Sequence, residues 1–296
     1  MSALAAWIRS ARLASQSYIA LPLLLGVGLA KSRGHLVEPW ALMLVLLFGL
    51  LDQLYIVWAN DYADQATDRL NQTPTIFSGG SRVLVEGRLS PGAIRRAAMI
   101  AGALALADAL ALGVARASPI PPLLAGAALI LLWCYSYGPL RLSYRGGGEL
   151  LQALGVGLVL PLYGFTAVSG GWAELDWVLL ASLLPGKLAC AIATTLPDEP
   201  SDRLSQKRTL AVLLGLVPAA WAATLLAAAS ISLLVWTERI PGATGAVFGV
   251  VLVLQATLQR SRPGGIGLWL RVFGLLLAVL GVEAVLVISS FHLIGV

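Results

Sequence analysis

The sequence predicts an all-α polytopic membrane protein, about nine transmembrane helices in one bundle with a cytoplasmic N-terminus. Three observations predict it. The 296 residues are 58% hydrophobic and 12% charged, with a mean hydropathy of +0.84, well outside the range of ordinary soluble domains. The apolar residues gather in runs of about 20, the length that crosses a ~30 Å hydrocarbon core. The basic residues between those runs fall mostly in alternate loops.

The first run, 15–30, follows Arg9 and Arg12 and ends in small residues near Ala30. Those are also features of a signal peptide, but the charge pattern works best if it stays as a span. The second, 40–59, runs into an acidic stretch. The third, fourth and fifth lie at 93–114, 119–137 and 149–169. The sixth, 175–196, runs into a second acidic stretch. Three more lie at 209–236, 241–259 and 268–293. On one side of the membrane this order places Arg9, Arg12, Arg69, Arg82, Arg88, Arg95, Arg96, Arg141, Arg145, Arg203, Lys207, Arg208, Arg260, Arg262 and Arg271. The other side receives only Lys31, Arg33, Arg116 and Arg239, and Lys187 falls inside the sixth span. The bias predicts a multi-pass protein of the inner (plasma) membrane, with both acidic stretches facing the cytoplasm, where Mg²⁺ and phosphorylated metabolites are available.

The net charge of +5 follows from this topology. A basic cytoplasmic face suits anionic lipid, so the pI near 9.5 does not argue for a nucleic-acid partner. Cys134 and Cys190 fall in predicted spans and read as packing residues. His35 and His292 are isolated and take no role. No low-complexity segment interrupts the chain, so residues 1–296 read as one transmembrane domain. The oligomeric state is not legible. Both acidic stretches end a span, four spans apart. This is a faint internal repeat, and it would set them opposite each other across a bundle.

Carboxylates number only 15, yet six lie in Asn60-Asp61-Tyr62-Ala63-Asp64-Gln65-Ala66-Thr67-Asp68 and Asp198-Glu199-Pro200-Ser201-Asp202. Ionisable groups are costly in so apolar a chain and point to function. At helical spacing Asn60, Asp64 and Asp68 share a face, as do Asp61 with Asp64 and Asp198 with Asp202. Carboxylates that close repel one another unless a cation holds them. Hard oxygen ligands suit Mg²⁺ that is shared with a substrate's phosphates. Basic residues match them: Arg82 in the Ser78-Gly79-Gly80-Ser81-Arg82 turn, Arg141 and Arg145 around Leu142-Ser143-Tyr144, and Lys207-Arg208 after the second stretch. Two Mg²⁺ ions ringed by these groups form a diphosphate clamp, with an isoprenoid tail in the apolar bundle. The clamp implies ionisation of an allylic carbon as diphosphate leaves. Aromatic faces from Tyr55, Trp58, Tyr62, Trp133, Tyr137 and Tyr163 would shield the cation. An electron-rich partner such as an aromatic ring would capture it, with water excluded.

At this point the sequence resembles the UbiA superfamily of intramembrane aromatic prenyltransferases. Asn60 to Asp68 matches the family's NDxxDxxxD, and Asp198 with Asp202 matches its DxxxD. Asp202-Arg203-Leu204-Ser205-Gln206-Lys207-Arg208-Thr209-Leu210 is similar to its D-R-x-x-G-K-R-T-L, with Gln206 in place of Gly. The nine-span layout agrees as well, so the resemblance covers nearly the whole chain. Within the superfamily the chain is most similar to the 1,4-dihydroxy-2-naphthoate polyprenyltransferases of menaquinone synthesis. That likeness rests on Asn60-Asp61-Tyr62-Ala63-Asp64, on Ser81-Arg82-Val83-Leu84-Val85-Glu86-Gly87 with Leu89-Ser90-Pro91, and on Gly138-Pro139-Leu140-Arg141-Leu142-Ser143-Tyr144-Arg145-Gly146. It departs at Thr194-Thr195-Leu196-Pro197, where that group usually carries an Asn pair. The resemblance implies Mg²⁺-dependent transfer of a polyprenyl group to 1,4-dihydroxy-2-naphthoate, with loss of its carboxylate, and Asn60, Asp61, Asp64, Asp68, Asp198 and Asp202 on metal and diphosphate. It also implies phosphate contacts from Arg12, Arg141, Arg145 and Lys207, joined by Tyr144.

Lys187 precedes Asp198 by 11 residues, close to three turns, and so lies about 16 Å deeper on the same face. It either anchors an acceptor's carboxylate or forms a buried ion pair, for instance with Asp52. Asp108 and Glu283 are orphan intramembrane acids that either pair with Arg271 or face lipid protonated. Three further readings stay open. One is transfer to another aromatic acceptor, such as 4-hydroxybenzoate. A second is a terpene cyclase, in which the substrate's own double bond captures the cation. The third is a cation transporter, which the clustering of the acids at one rim disfavours.

Overall fold

The structure is a computed structural model that describes residues 2–72, 74, 79–257 and 266–292. Every regular element among them is helical. A short helix α1 (Ala3–Ser10) precedes α2 (Gln16–Ser32), α3 (Pro39–Ala63) and the short α4 (Gln65–Leu70). Then come α5 (Pro91–Ala115), α6 (Ile120–Ser136), the single turn α7 (Leu142–Arg145), and α8 (Gly148–Leu154), which a π-helical turn joins to α9 (Leu160–Ser169). The chain continues through α10 (Trp177–Thr195), α11 (Glu199–Leu204), α12 (Leu210–Leu214), α13 (Leu216–Trp236), α14 (Gly242–Thr257) and α15 (Ile266–His292).

Six helical segments are long and apolar enough to cross a membrane: Pro39–Ala63, Pro91–Ala115, Gly148–Ser169, Trp177–Leu204, Leu216–Trp236 and Ile266–His292. The other three expected spans form shorter helices, α2 and α6 of 17 residues and α14 of 16. The expected run 209–236 divides at Gly215, whose φ of +86° ends α12 and starts α13. Ser78, Arg260 and Arg262, named above, lie outside the described residues, as do residues 258, 259 and 293 of the expected spans.

Local chemistry sets the helix ends. Pro39 and Pro91 occupy first-turn positions, where a missing N–H costs nothing. The Ser90 hydroxyl accepts from Ala93 N at 3.2 Å and the Asp176 carboxylate from Leu179 N at 2.9 Å, two ordinary N-caps. Gly170, at φ +77°, closes α9. α3 packs along α5, α10 along α13, and α2 between α9 and α15. Phe48 of α3 stacks on Tyr163 of α9, ring centroids 3.9 Å apart, in the buried centre. Large apolar side chains such as Leu50, Leu104, Leu225, Val250 and Leu277 point outward. That surface matches hydrocarbon rather than water.

Candidate active site

α3 carries Asp52, Ile56 and Asn60 at four-residue spacing, Asp64 follows as its C-cap, and all four line one cavity of about 1110 Å³. α3 stops at Asp64 (φ −97°, ψ 11°), and α4 starts afresh with Asp68 in its first turn. The single continuous face expected for Asn60, Asp64 and Asp68 is therefore interrupted at the middle acid, yet all three reach the cavity. The second motif is also divided. α10 ends at Thr195, a 3₁₀ turn carries Asp198, and α11 carries Asp202. The break undoes the expected shared face of Lys187 and Asp198.

α11 terminates in a Schellman-type turn. Lys207 N donates to Asp202 O at 2.9 Å, across Gln206 in the left-handed region at φ 62°. This turn sends Lys207 back over the acids. Its Nζ lies 2.8 Å from Asp64 Oδ2 and 3.8 Å from Asp202 Oδ1. Asp64 also accepts from the Tyr144 hydroxyl at 3.1 Å and from Asn60 Nδ2 at 3.0 Å. Burial works against the Lys207 charge, but Asp64, then Tyr135 and Asp202, outweigh it and raise its pKa. Burial first, and Asp64 next, raises that of Tyr144.

Asp61 is held from the other side. Arg12, left-handed at φ 44° beyond the end of α1, pairs with Asp61 Oδ1. The Ser81 hydroxyl bonds Asp61 Oδ2, and Ser81 N donates to it at 3.3 Å. Arg82, also left-handed at φ 67°, donates to the main-chain oxygens of Asp68 and Asn71. Asn71 Nδ2 donates to Asp198 Oδ1 at 2.7 Å, which ties the first motif to the second. Strained backbone at three such positions is a feature of functional sites.

The two motifs thus meet across one cavity, as their repeat-like placement implied. Among the described residues, no three acids are gathered to hold a metal ion; Asp61 is paired with Arg12 and Asp64 with Lys207 instead. The donor set still fits Mg²⁺. It consists of hard oxygens, and Asp68 is pushed up to about 7 by burial and then by the charges of Asp61 and Asp64. A divalent cation would relieve that crowding.

Of the expected site residues, Asn60, Asp64, Asp68, Asp198, Asp202, Arg12, Arg82 and Lys207 line the cavity, and Asp61 lies behind Arg12 and Ser81. Arg141 and Arg145 do not. They line a second depression of about 1060 Å³ with Tyr144, Arg203, Lys207 and Arg208. The Arg141 guanidinium lies 3.6 Å over the Tyr144 ring, so it touches the acids only through that side chain. Lys187 is fully buried against Glu283 and lines neither cavity. It does not pair with Asp52, and Glu283 does not pair with Arg271. The expected aromatic set is displaced as well. Tyr55, Trp58, Tyr62, Trp133, Tyr137 and Tyr163 are absent from the cavity wall, and Tyr18, Tyr135 and Trp269 line it. On a helix two residues turn the side chain by ~200°, so Tyr135 faces inward while Trp133 and Tyr137 stack on each other at 4.7 Å. Sequence reading also missed Ser81 and Asn71. Their signal was proximity to Arg82 and Asp68.

The sequence matches the UbiA prenyltransferase family over residues 19–266. It is 30% identical over 224 residues to a 1,4-dihydroxy-2-naphthoate octaprenyltransferase of Mycobacterium tuberculosis, covering 73% of this chain and 72% of that protein. It is 28% identical over 173 residues to a homogentisate phytyltransferase of Synechocystis, covering 56% and 52%. Its fold is similar to that of a UbiA homolog from Archaeoglobus fulgidus solved with DMAPP and Mg²⁺. That match has a TM-score of 0.73 and 18% identity, and covers 98% of this chain and 99% of the other. A UbiA homolog from Aeropyrum pernix matches at TM-score 0.65 and 20% identity, over 91% and 96% of the two chains.

Proposed function

The chain is a prenyltransferase belonging to the UbiA prenyltransferase family, and from that premise we propose Mg²⁺-dependent transfer of a polyprenyl group from its diphosphate to an aromatic quinone precursor. 1,4-Dihydroxy-2-naphthoate is the acceptor proposed. One observation carries the reading: Asp64, Asp68, Asp198 and Asp202 converge with Arg12, Arg82 and Lys207 on one cavity whose remaining wall includes Leu132, Leu151, Val156, Trp269, Leu276 and Leu280. Anion-binding and apolar halves in one cavity match a diphosphate with a hydrocarbon tail. The naphthoate acceptor is favoured by the likeness to the mycobacterial octaprenyltransferase.

Bound Mg²⁺, held by Asn60, Asp64, Asp68, Asp198 and Asp202, would neutralise the diphosphate and the charge it gains on leaving, while Asp61, expected among these ligands, instead anchors Arg12 and Ser81. Arg12, Arg82 and Lys207 bind the phosphate oxygens and orient the allylic carbon toward the apolar wall. Tyr144 holds Asp64 in place. The allylic C–O bond breaks, with its electron pair leaving on diphosphate. Tyr18, Tyr135 and Trp269, which line the cavity, are the aromatic rings available to shield the carbon that becomes positive. The acceptor ring supplies the pair for the new C–C bond, and CO₂ from the naphthoate leaves as the ring becomes aromatic again. On the same reading Arg141 and Arg145 reach the diphosphate only as it enters or leaves. Residues 1–296 form one inner-membrane domain of about nine spans, N-terminus and site on the cytoplasmic side, as the basic-residue bias supports.

Product mass spectrometry tests the proposal. Purified protein in detergent receives geranylgeranyl diphosphate and Mg²⁺, with and without 1,4-dihydroxy-2-naphthoate, beside an EDTA control. An EDTA-sensitive, prenylated and decarboxylated naphthoquinol is expected. A cyclic terpene formed without acceptor would establish the cyclase instead.

A further inference from the structure

Asp52 is left over from the site just described. It lies mid-way along α3 and lines the large cavity. It is 1% exposed, and its Oδ1 has no hydrogen-bond partner. Lys187, the intramembrane lysine, is held by Glu283. Gln53, its chain neighbour, gives its amide to Ser15 Oγ. An unpaired carboxyl oxygen inside a membrane bundle is costly. If no protein group meets it, what enters the cavity has to.

Position narrows that partner's chemistry. Asp52 shares the cavity-facing stripe of Ile56, Asn60 and Asp64. It sits eight residues, about 12 Å, below Asn60 along the helix. That interval holds a diphosphate, its first carbon and one ring. A prenyl tail has no donor to offer Asp52, whereas a hydroxylated aromatic ring does.

We propose that Asp52 accepts a hydrogen bond from a ring hydroxyl of the aromatic acceptor, selecting hydroxylated rings and fixing the ring's depth below the diphosphate. This rests on the reading of the chain as an aromatic prenyltransferase.

The test is steady-state kinetics of purified wild type, Asp52→Asn and Asp52→Leu, with geranylgeranyl diphosphate and either 1,4-dihydroxy-2-naphthoate or its monomethyl ethers. Thermal midpoints in detergent check that the variants fold. Loss of one buried hydrogen bond that the site is built to make predicts a rise of about tenfold or more in acceptor KM. The KM for geranylgeranyl diphosphate should stay within about twofold. Wild type should prefer the free hydroxyl over at least one ether, and the variants should lose that preference. An unchanged acceptor KM, or turnover that falls alike for both acceptors with the preference retained, overturns the proposal. If wild type ignores the naphthoate, the same comparison is made with 4-hydroxybenzoate and homogentisate. A wrong acceptor is thereby told apart from a wrong residue, and prenylation of no hydroxyaromatic overturns both readings.

Discussion

At the residue scale, the site is a set of carboxylates whose counter-charges arrive from distant parts of the chain. Asp64 receives Lys207 from 143 positions away, and Asp61 receives Arg12 from 49. Asp64→Ala or Asp198→Ala should lower turnover about a thousandfold or more while the fold persists. Wild-type rates in either variant would remove the clamp. Gln206 holds a left-handed φ of 62°, a conformation that Gly adopts at much lower cost. Gln206→Gly should therefore raise stability by up to about 1 kcal/mol, read as a higher thermal midpoint. Lys187 and Glu283 are both fully buried and have each other. Lys187→Met alone should destabilise by about 3–5 kcal/mol by stranding Glu283. Adding Glu283→Leu should recover most of that loss. If the double variant is no better than the single, the pair is not what holds these helices together.

At the element scale, small residues decide how closely α2 and α9 approach. A Cβ on Gly26 would collide with Pro161 O and Phe165 N, and one on Gly164 with Leu23 O. No side chain can move aside to relieve either clash, because the obstructing atoms belong to the backbone. Gly164→Ala should cost at least about 1–3 kcal/mol, whereas Gly126→Ala, which meets no atom within 4 Å, should be close to neutral. Similar thermal midpoints for the two would contradict this packing. The breaks in the helices matter as much as the helices. The interruption at Asp64 and the 3₁₀ turn at Leu196–Asp198 let Asp68 and Asp202 approach from short helices of their own. Hydropathy located most of the long helices within a few residues but could not register such breaks, since a one-residue departure from helix leaves the apolar average unchanged.

At the scale of the whole molecule, an integral membrane protein brings both acidic motifs to one cavity and covers much of its remaining described surface with apolar side chains. The basic-residue asymmetry predicts that a reporter fused at the N-terminus reads cytoplasmic and one at the C-terminus reads from the far side. The same side for both would mean an even number of spans. Arg9 pairs with Glu86 at 2.8 Å across the cavity's edge, but both are partly exposed. Arg9→Ala should change stability by less than about 1 kcal/mol.

The sequence by itself determined the helical membrane class, the two acidic motifs and the basic residues that answer them. Those properties depend on composition and on spacing along one chain. The tertiary structure decided which partners meet. It joined Asn71 to Asp198, gave Lys187 to Glu283 rather than Asp52, and set Arg141 behind Tyr144. It also turned Tyr135 rather than Trp133 toward the cavity. Such pairings depend on helix rotation and on the breaks between helices, where one residue shifts a side chain by ~100°. Spacing along a single chain does not encode the angle at which two helices face each other.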